Sequence, residues 1–329
     1  IMSSDWSSDV CSSDLHHRGS PPGGYYTPYK NPKLSDGPEG EYLTDRLTNE
    51  SIRFLEENGD NPFLLYLSFY TVHTPIQACK RHVEKFEERA GSLPKIDSPH
   101  REEHDALTKL RQDNPDYASM VYAMDENVGR LVNALDELNL SDNTVVIFTS
   151  DNGGLSTLPR RGYPTCNLPL RAGKGWCYEG GIRVPVIIRA PGVTQPGSIS
   201  HEPVISNDFY PTVLQLAGLP LMPDRHPDGL SLLPLLRGEE AVDREALYWH
   251  YPHYHGSAWT PGAAVRARDW KLIEFYDREK LELYNLKNDL SEQNDLSKKM
   301  PQKTKELQNM LHQWQKRMNA KMPSPNPDY

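Results

Sequence analysis

Cysteine is scarce in this chain, with four in 329 residues. None of Cys11, Cys79, Cys166 and Cys177 stands in a C-x-x-C spacing, so a zinc site is not expected. Cys166 and Cys177 are near enough in sequence to bridge, which only geometry decides. No apolar run approaches the roughly 20 residues that cross a bilayer, so no membrane span is expected. Positive charge is also short: 36 Lys and Arg against 45 Asp and Glu leave a formal net charge of −9. That balance excludes nucleic acid as the expected partner. No secretory signal peptide is legible.

The first residues are equally poor in information. Ile1–Leu15 contains Ser-Ser-Asp three times, at Ser3, Ser7 and Ser12, with no apolar period. Residues 1–18 read as a non-native, adapter-like leader, and His16 and His17 are given no metal role. Residues 19–43 are rich in Pro, Gly and Tyr and read as loop. Residues 44–220 read as an α/β domain and residues 221–329 as a smaller α+β subdomain.

Within the larger domain, Thr44–Asn58 has helical spacing, with Thr44 as cap and Gly59 as stop. Pro62–Tyr70 reads as a buried strand. Lys80–Asn114, broken by Pro94 and Pro99, reads as a polar insertion over the site. Asp116–Leu138 is an amphipathic helix with Tyr117, Val121, Met124, Val128, Leu131, Leu135 and Leu138 as its apolar stripe. Thr144–Thr149 and Val184–Arg189 read as strands, and Asp208–Ala217 as a short helix with Asp208 as cap. Strand, helix, strand order predicts a mostly parallel sheet flanked by helices. Beyond Pro220, Ala246–His250, Ala263–Arg268, Trp270–Tyr276 and Leu281–Asn285 predict a small antiparallel sheet. A last helix carries Leu307, Met310, Leu311, Trp314 and Met318, and Pro323–Tyr329 reads as a frayed tail.

The chemistry concentrates in Thr144–Gly154, T-V-V-I-F-T-S-D-N-G-G. A short β-branched run ends abruptly in two oxygen-bearing side chains and two glycines. A buried strand delivers ligands to a site at its carboxyl end in this way. Asp151 supplies a carboxylate and Asn152 a carbonyl oxygen, both suited to a hard cation such as calcium. Between Pro159 and Arg189 lie Arg160, Arg161, Arg171, Lys174, Arg183 and Arg189 against Glu179 alone. A basic island in an acidic chain suits an anionic substrate.

Three blocks together carry a resemblance. They are N-P-F-L-L-Y-L-S-F-Y-T-V-H-T-P-I at Asn61–Ile76, the Thr144–Gly154 stretch, and L-R-A-G-K-G-W-C-Y-E-G-G-I-R-V-P-V-I-I-R-A-P at Leu170–Pro191. In that order the chain, from about Thr44 onward, resembles the type I sulfatase family of the alkaline-phosphatase-like superfamily. The resemblance implies hydrolysis of a sulfate monoester, of a sulfated carbohydrate by preference. It implies attack by a formylglycine hydrate and a bound calcium ion. It makes Asp151 and Asn152 metal ligands, and Lys174 a contact to the sulfate. It puts His73 beside the sulfate as proton donor to the leaving oxygen, a role that a group titrating near neutrality can fill. Glu179, Gly180, Gly181 and Arg183 read as loop architecture, with Arg183 paired internally. In the run Trp249–His255, W-H-Y-P-H-Y-H, the aromatics suit a sugar face, and His250 is a candidate substrate contact. A periplasmic or secreted location is implied by the family.

The departures matter as much. No C/S-x-P-S-R motif, which matures to formylglycine, occurs in the chain, and neither do the paired early aspartates of the calcium site. The expectation is a C-terminal part of a sulfatase, inactive by itself. The rivals are a phosphomonoester or phosphonate hydrolase of the same superfamily and a noncatalytic sulfated-glycan-binding pseudoenzyme.

Overall fold

The computed structural model describes residues 21, 23–160, 162–239 and 242–324. The Ser-Ser-Asp leader with Cys11, His16 and His17, as well as Arg161 and the last residues of the expected tail, lie outside them. The chain divides into two compact units. One holds residues up to Ile96 together with Asp113–Thr144, and the other holds Asp97–Gln112 together with the chain from Val145 onward.

Among the described residues the first unit contains three helices, α1 (Leu43–Asn58), α2 (Val83–Gly91) and α3 (Pro115–Glu137). On α1, Leu43, Leu47, Phe54 and Leu55 recur at helical spacing and are buried. The Gly59 amide closes the helix on the Leu55 carbonyl at 2.9 Å. Thr44 lies inside the first turn, where its hydroxyl meets that of Thr71 at 2.7 Å instead of capping. Helix α3 begins at Pro115, with the Asn114 side chain accepting from the Tyr117 amide at 3.1 Å. Its buried face is turned from the predicted stripe: Met120, Ala123, Asn127 and Ala134 join Leu135 inside, while Val121 is 38% exposed. Asn127 tolerates full burial because its amide nitrogen donates to Asp45 Oδ1 and to the Ala123 carbonyl, both at 2.8 Å.

The Tyr-rich loop before α1 supplies core rather than surface. Tyr25, Tyr29 and Tyr42 are buried with Tyr70 and Cys79, and each hydroxyl reaches a backbone carbonyl. Pro62–Tyr70 is not a strand. It joins no ladder among the described residues, and Leu64 and Tyr66 are 40% and 57% exposed. Lys80–Asn114, expected as an irregular insertion, carries α2 and the first hairpin of the second unit.

That hairpin is β1 (His100–Glu103) with β2 (Ala106–Lys109). Next come β3 (Val146–Thr149), β4 (Thr157–Leu158), the short helix α4 (Glu179–Ile182) and β5 (Val186–Arg189). Helices α5 (Phe209–Leu216) and α6 (Leu233–Leu236) lead to a meander of β6 (Leu247–Tyr251), β7 (Gly262–Ala267), β8 (Trp270–Phe275) and β9 (Lys280–Asn285), followed by α7 (Pro301–Arg317). The mixed α/β class and the C-terminal antiparallel sheet with its helix are as expected. Parallel pairing is not: every paired strand among the described residues is antiparallel. The reason is visible between β3 and β5. A parallel pair needs a crossover that carries the chain back to the starting end. Here the connection is irregular apart from β4 and α4 and returns at the same end, where the Thr149 hydroxyl donates to the Pro185 carbonyl at 3.0 Å.

The meander is buried on both faces. Ala263, Val265, Leu272 and Leu283 face Leu307 and Leu311 of α7. Their neighbours Ala264, Ile273 and Tyr284 face Ala172, Trp176 and Tyr178. Period-two alternation thus divides each strand between a helix and the loop that carries the candidate site.

Candidate functional site

The turn after β3 and the loop Arg171–Ile182 are packed backbone on backbone. The Gly153 amide donates to the Gly181 carbonyl at 3.0 Å, the Lys174 amide to the Gly154 carbonyl at 3.1 Å, and the Gly180 amide to the Arg171 carbonyl at 2.8 Å. A Cβ at Gly153 would collide with the Gly180 carbonyl, and one at Gly173 with the Gly154 carbonyl. Gly180 and Gly181 are equally closed in, against the carbonyls of Ala172 and Trp176. The glycines that punctuate both motifs are therefore what lets the two loops interleave. Asp151, exposed, and Asn152, half-buried, are held on the turn whose Gly154 anchors Lys174.

The same loop is fastened to the C-terminal sheet by buried charge. Arg171 grips Glu103 through two bonds of 2.9 and 2.6 Å, and donates to the Tyr284 hydroxyl at 2.8 Å and the Glu292 carbonyl at 2.7 Å. Its guanidinium lies 3.9 Å from the centre of the Tyr178 ring. The Tyr178 hydroxyl donates to Glu282 at 2.5 Å. One residue on, Glu179 meets the fully buried Lys271 at 2.9 Å, and Lys271 meets Glu292 at 2.9 Å. Burial works against the Glu179 charge, but Lys271, Arg266 and Arg183 hold its carboxyl below the usual range. Glu292 goes the other way: burial, against the pull of Lys271 and with the push of Glu179, raises it to about 7.

This changes the reading of the basic island. Arg171 points inward and is fully engaged, and Arg183 pairs with Glu179 at 3.5 Å as expected. Arg160 and Arg189 are exposed. Lys174 is half-buried, and its ammonium makes no hydrogen bond or ion pair among the described residues. Its backbone amide is bonded to the turn that carries Asp151 and Asn152.

The other expected residues fall as follows. His73 belongs to the first unit. Its Nδ1 lies 2.9 Å from the Thr74 carbonyl, which can only accept, so in the neutral ring Nδ1 carries the hydrogen. His250 has both ring nitrogens engaged, by the Tyr276 hydroxyl at 3.1 Å and the Lys321 carbonyl at 2.9 Å. Asp208 precedes α5 without a side-chain cap bond to it; its carboxylate instead accepts the amides of Ile205 and Leu230, each at 2.9 Å, and pairs with Arg244. Cys79, Cys166 and Cys177 are free thiols, so the bridge left open between Cys166 and Cys177 does not form. Sequence reasoning passed over His255, which the structure sets against Gly175, the neighbour of Lys174. The signal was present, in the third histidine of the W-H-Y-P-H-Y-H run.

Asp151 and Asn152 offer two hard oxygen donors, the type calcium takes. Among the described residues no group of three His, Cys, Asp or Glu side chains is disposed to hold a metal ion. The donor chemistry fits, and it supplies part of a shell of about six to eight ligands.

This loop architecture has relatives. The Sulfatase family matches residues 9–219, and the family described as N-sulphoglucosamine sulphohydrolase, C-terminal, matches residues 172–321. The chain belongs to the sulfatase family, the type I sulfatases of the alkaline-phosphatase-like superfamily. The first match begins inside the segment that reads as a leader. A sulfatase of Formosa agariphila is 35% identical over 88% of this chain and 53% of its own length. Human steryl-sulfatase is 36% identical over 71% of this chain and 36% of its own length. Among solved structures, Ps i-CgsB in complex with k-i-k-neocarrahexaose aligns with a TM-score of 0.67 at 33% identity, covering 85% of this chain and 56% of that one. BT4656, in complex with its substrate D-glucosamine-2-N,6-O-disulfate, aligns with a TM-score of 0.70 at 26% identity, covering 84% and 70%. The chain spans about half the length, or less, of these curated relatives.

Proposed function

We infer that the whole protein is a sulfuric ester hydrolase that cleaves sulfate monoesters of carbohydrates outside the cytoplasm. The observation that carries this is Lys174, whose ammonium is unpaired among the described residues and whose backbone amide is bonded to the Gly154 carbonyl of the turn bearing Asp151 and Asn152. A carbohydrate substrate is supported by the N-acetylglucosamine-6-O-sulfatase of Bacteroides thetaiotaomicron, 36% identical over 63% of this chain, and by the sugar ligands named with the two solved structures. A periplasmic or secreted location rests on the bacterial relatives. No helix among the described residues is long and apolar enough to cross a membrane.

Cleavage of the S–O bond needs a nucleophile at sulfur, positive charge on the sulfuryl oxygens and a proton for the leaving oxygen. Lys174 supplies the charge. The resemblance assigns the proton to His73, whose Nδ1 faces the Thr74 carbonyl. Asp151 and Asn152 would hold part of the shell of a calcium ion, whose chemistry is further positive charge at the sulfate. The nucleophile is a formylglycine from a C/S-x-P-S-R motif, which these 329 residues do not include.

The test is Lys174→Ala in the full-length enzyme. A charge aimed at the reacting group is worth about 3 kcal/mol, so kcat/KM should fall on the order of 100-fold. The melting temperature should barely move, because the ammonium pairs with nothing among the described residues. Near-normal turnover with a lowered melting temperature would make Lys174 structural and remove the basis of this reading.

A further inference from the structure

The β6–β7 connection folds over the Lys174 loop. The Trp176 indole donates to the Ser257 carbonyl at 2.9 Å. The His255 amide donates to the Trp259 carbonyl and the Ala258 amide to the His255 carbonyl, each at 3.0 Å, which fixes a tight turn around His255. Gly175 has φ +86°, and a Cβ there would run into His255 Nδ1. The backbone beside Lys174 thus reserves the space that the imidazole fills.

The tautomer follows from the partners. The Ser257 amide, which can only donate, points at His255 Nδ1 at 3.1 Å, and the Ser257 hydroxyl lies 2.8 Å from the same atom. Nδ1 is therefore the acceptor, and in the neutral ring the hydrogen is on Nε2. Nε2 has no hydrogen-bond partner among the described residues and is not sealed from solvent. This separates His255 from His250, whose two nitrogens are both engaged.

We propose that His255 is a further substrate-binding residue, its Nε2–H donating to the same sulfate oxyanion that Lys174 attracts. The proposal rests on the sulfate-ester reading of the Lys174 site and adds a ligand from the C-terminal sheet. The electrostatics agree with it. Burial, then the charge of Lys174, lower the proton affinity of His255, so the free ring is neutral and in the required tautomer at neutral pH. Its other neighbours are the Tyr251 ring at 6.1 Å and Ser257. An oxyanion between Lys174 and His255 offsets the Lys174 field, so its binding raises the His255 pKa. By linkage, affinity for the anion rises as pH falls through the bound-state pKa.

The experiment is a pH titration of the imidazole resonances of this chain by NMR, without and with inorganic sulfate. Sulfate affinity is measured in parallel for the wild type, His255→Gln and Lys174→Ala. The expected result is an upward shift of the His255 midpoint with sulfate, absent in Lys174→Ala. The sulfate Kd of His255→Gln should rise about tenfold, the loss of one charge-assisted hydrogen bond. Sulfate binding that Lys174→Ala abolishes, with the His255 midpoint unmoved and the His255→Gln Kd unchanged, overturns the proposal and leaves the Lys174 site standing. Sulfate binding indifferent to both substitutions, or none at all, overturns the proposal together with the reading on which it rests. The wild-type titration needs no variant to fold.

Discussion

Lys271 is a fully buried ammonium, and its position between Glu179 and Glu292 makes one proton decisive. With Glu292 protonated, Lys271 and Glu179 neutralise each other. With Glu292 ionised, a second carboxylate is buried beside the first. Its folded-state pKa of about 7, against an ordinary 4.5, means that the folded chain binds more protons between those values. The contribution of Glu292 is therefore favourable at low pH and is lost as pH rises through about 7. Glutamine mimics the protonated form. Glu292→Gln should lose less stability than the wild type between about pH 5 and about pH 8, as read by urea unfolding at both. Parallel losses in the two proteins would mean that the carboxylate is charged throughout. None of this pairing could be read from spacing. The sequence block Y-E-G-G places Glu179 near Lys174, but Lys271 and Glu292 come from β8 and the loop after β9.

At the level of elements, the C-terminal meander was legible nearly residue for residue, and the reason is local. Period-two alternation and short turns act between neighbours in sequence, and the two faces have different partners, α7 and the Lys174 loop. Leu311 is fully buried where α7 meets the sheet. Leu311→Ala should cost about 2–5 kcal/mol in chemical denaturation, the usual range for a buried leucine that leaves a cavity. A loss below about 1 kcal/mol would mean that α7 is peripheral. Where partners are remote in sequence, legibility fails. Pro62–Tyr70 has the composition of a buried strand, yet its burial was a tertiary fact that composition does not carry. The stripe of α3 was misplaced because Asn127 looks like a surface residue until Asp45 is set against it. The parallel sheet was inferred from element order, and the irregular path from β3 to β5 defeats that inference. In the candidate site, the glycines of the motifs signalled the tight backbone that carries Asp151, Asn152 and Lys174. The inward role of Arg171 was not legible, because Glu103 lies 68 positions away in sequence.

On the scale of the whole molecule, a catalytic apparatus is more than the residues this chain holds. The 329-residue chain should not turn over aryl sulfates or sulfated sugars, because it contains no C/S-x-P-S-R motif to supply the nucleophile. Turnover by material free of other sulfatases would refute this. Calcium should bind it weakly, since Asp151 and Asn152 cover two of about six to eight coordination positions, while the full-length enzyme binds well. Titration calorimetry on both decides the point: micromolar binding by the chain that Asp151→Ala abolishes would reveal a ligand set outside this account. The interleaved glycines carry a further consequence, for how such a protein can change over generations. Gly153 and Gly173 close the space between two loops from both sides, and Gly180 and Gly181 close the lysine loop on itself. A replacement at Gly153 or Gly173 cannot be absorbed by its own loop, because the carbonyl it strikes belongs to the other, which is equally confined. The Asp151–Asn152 turn and the lysine loop are thus inherited as one object, and drift in either must wait for the other. Novelty is left to the surrounding loops, such as the β6–β7 turn, which pack against this pair without interleaving with it.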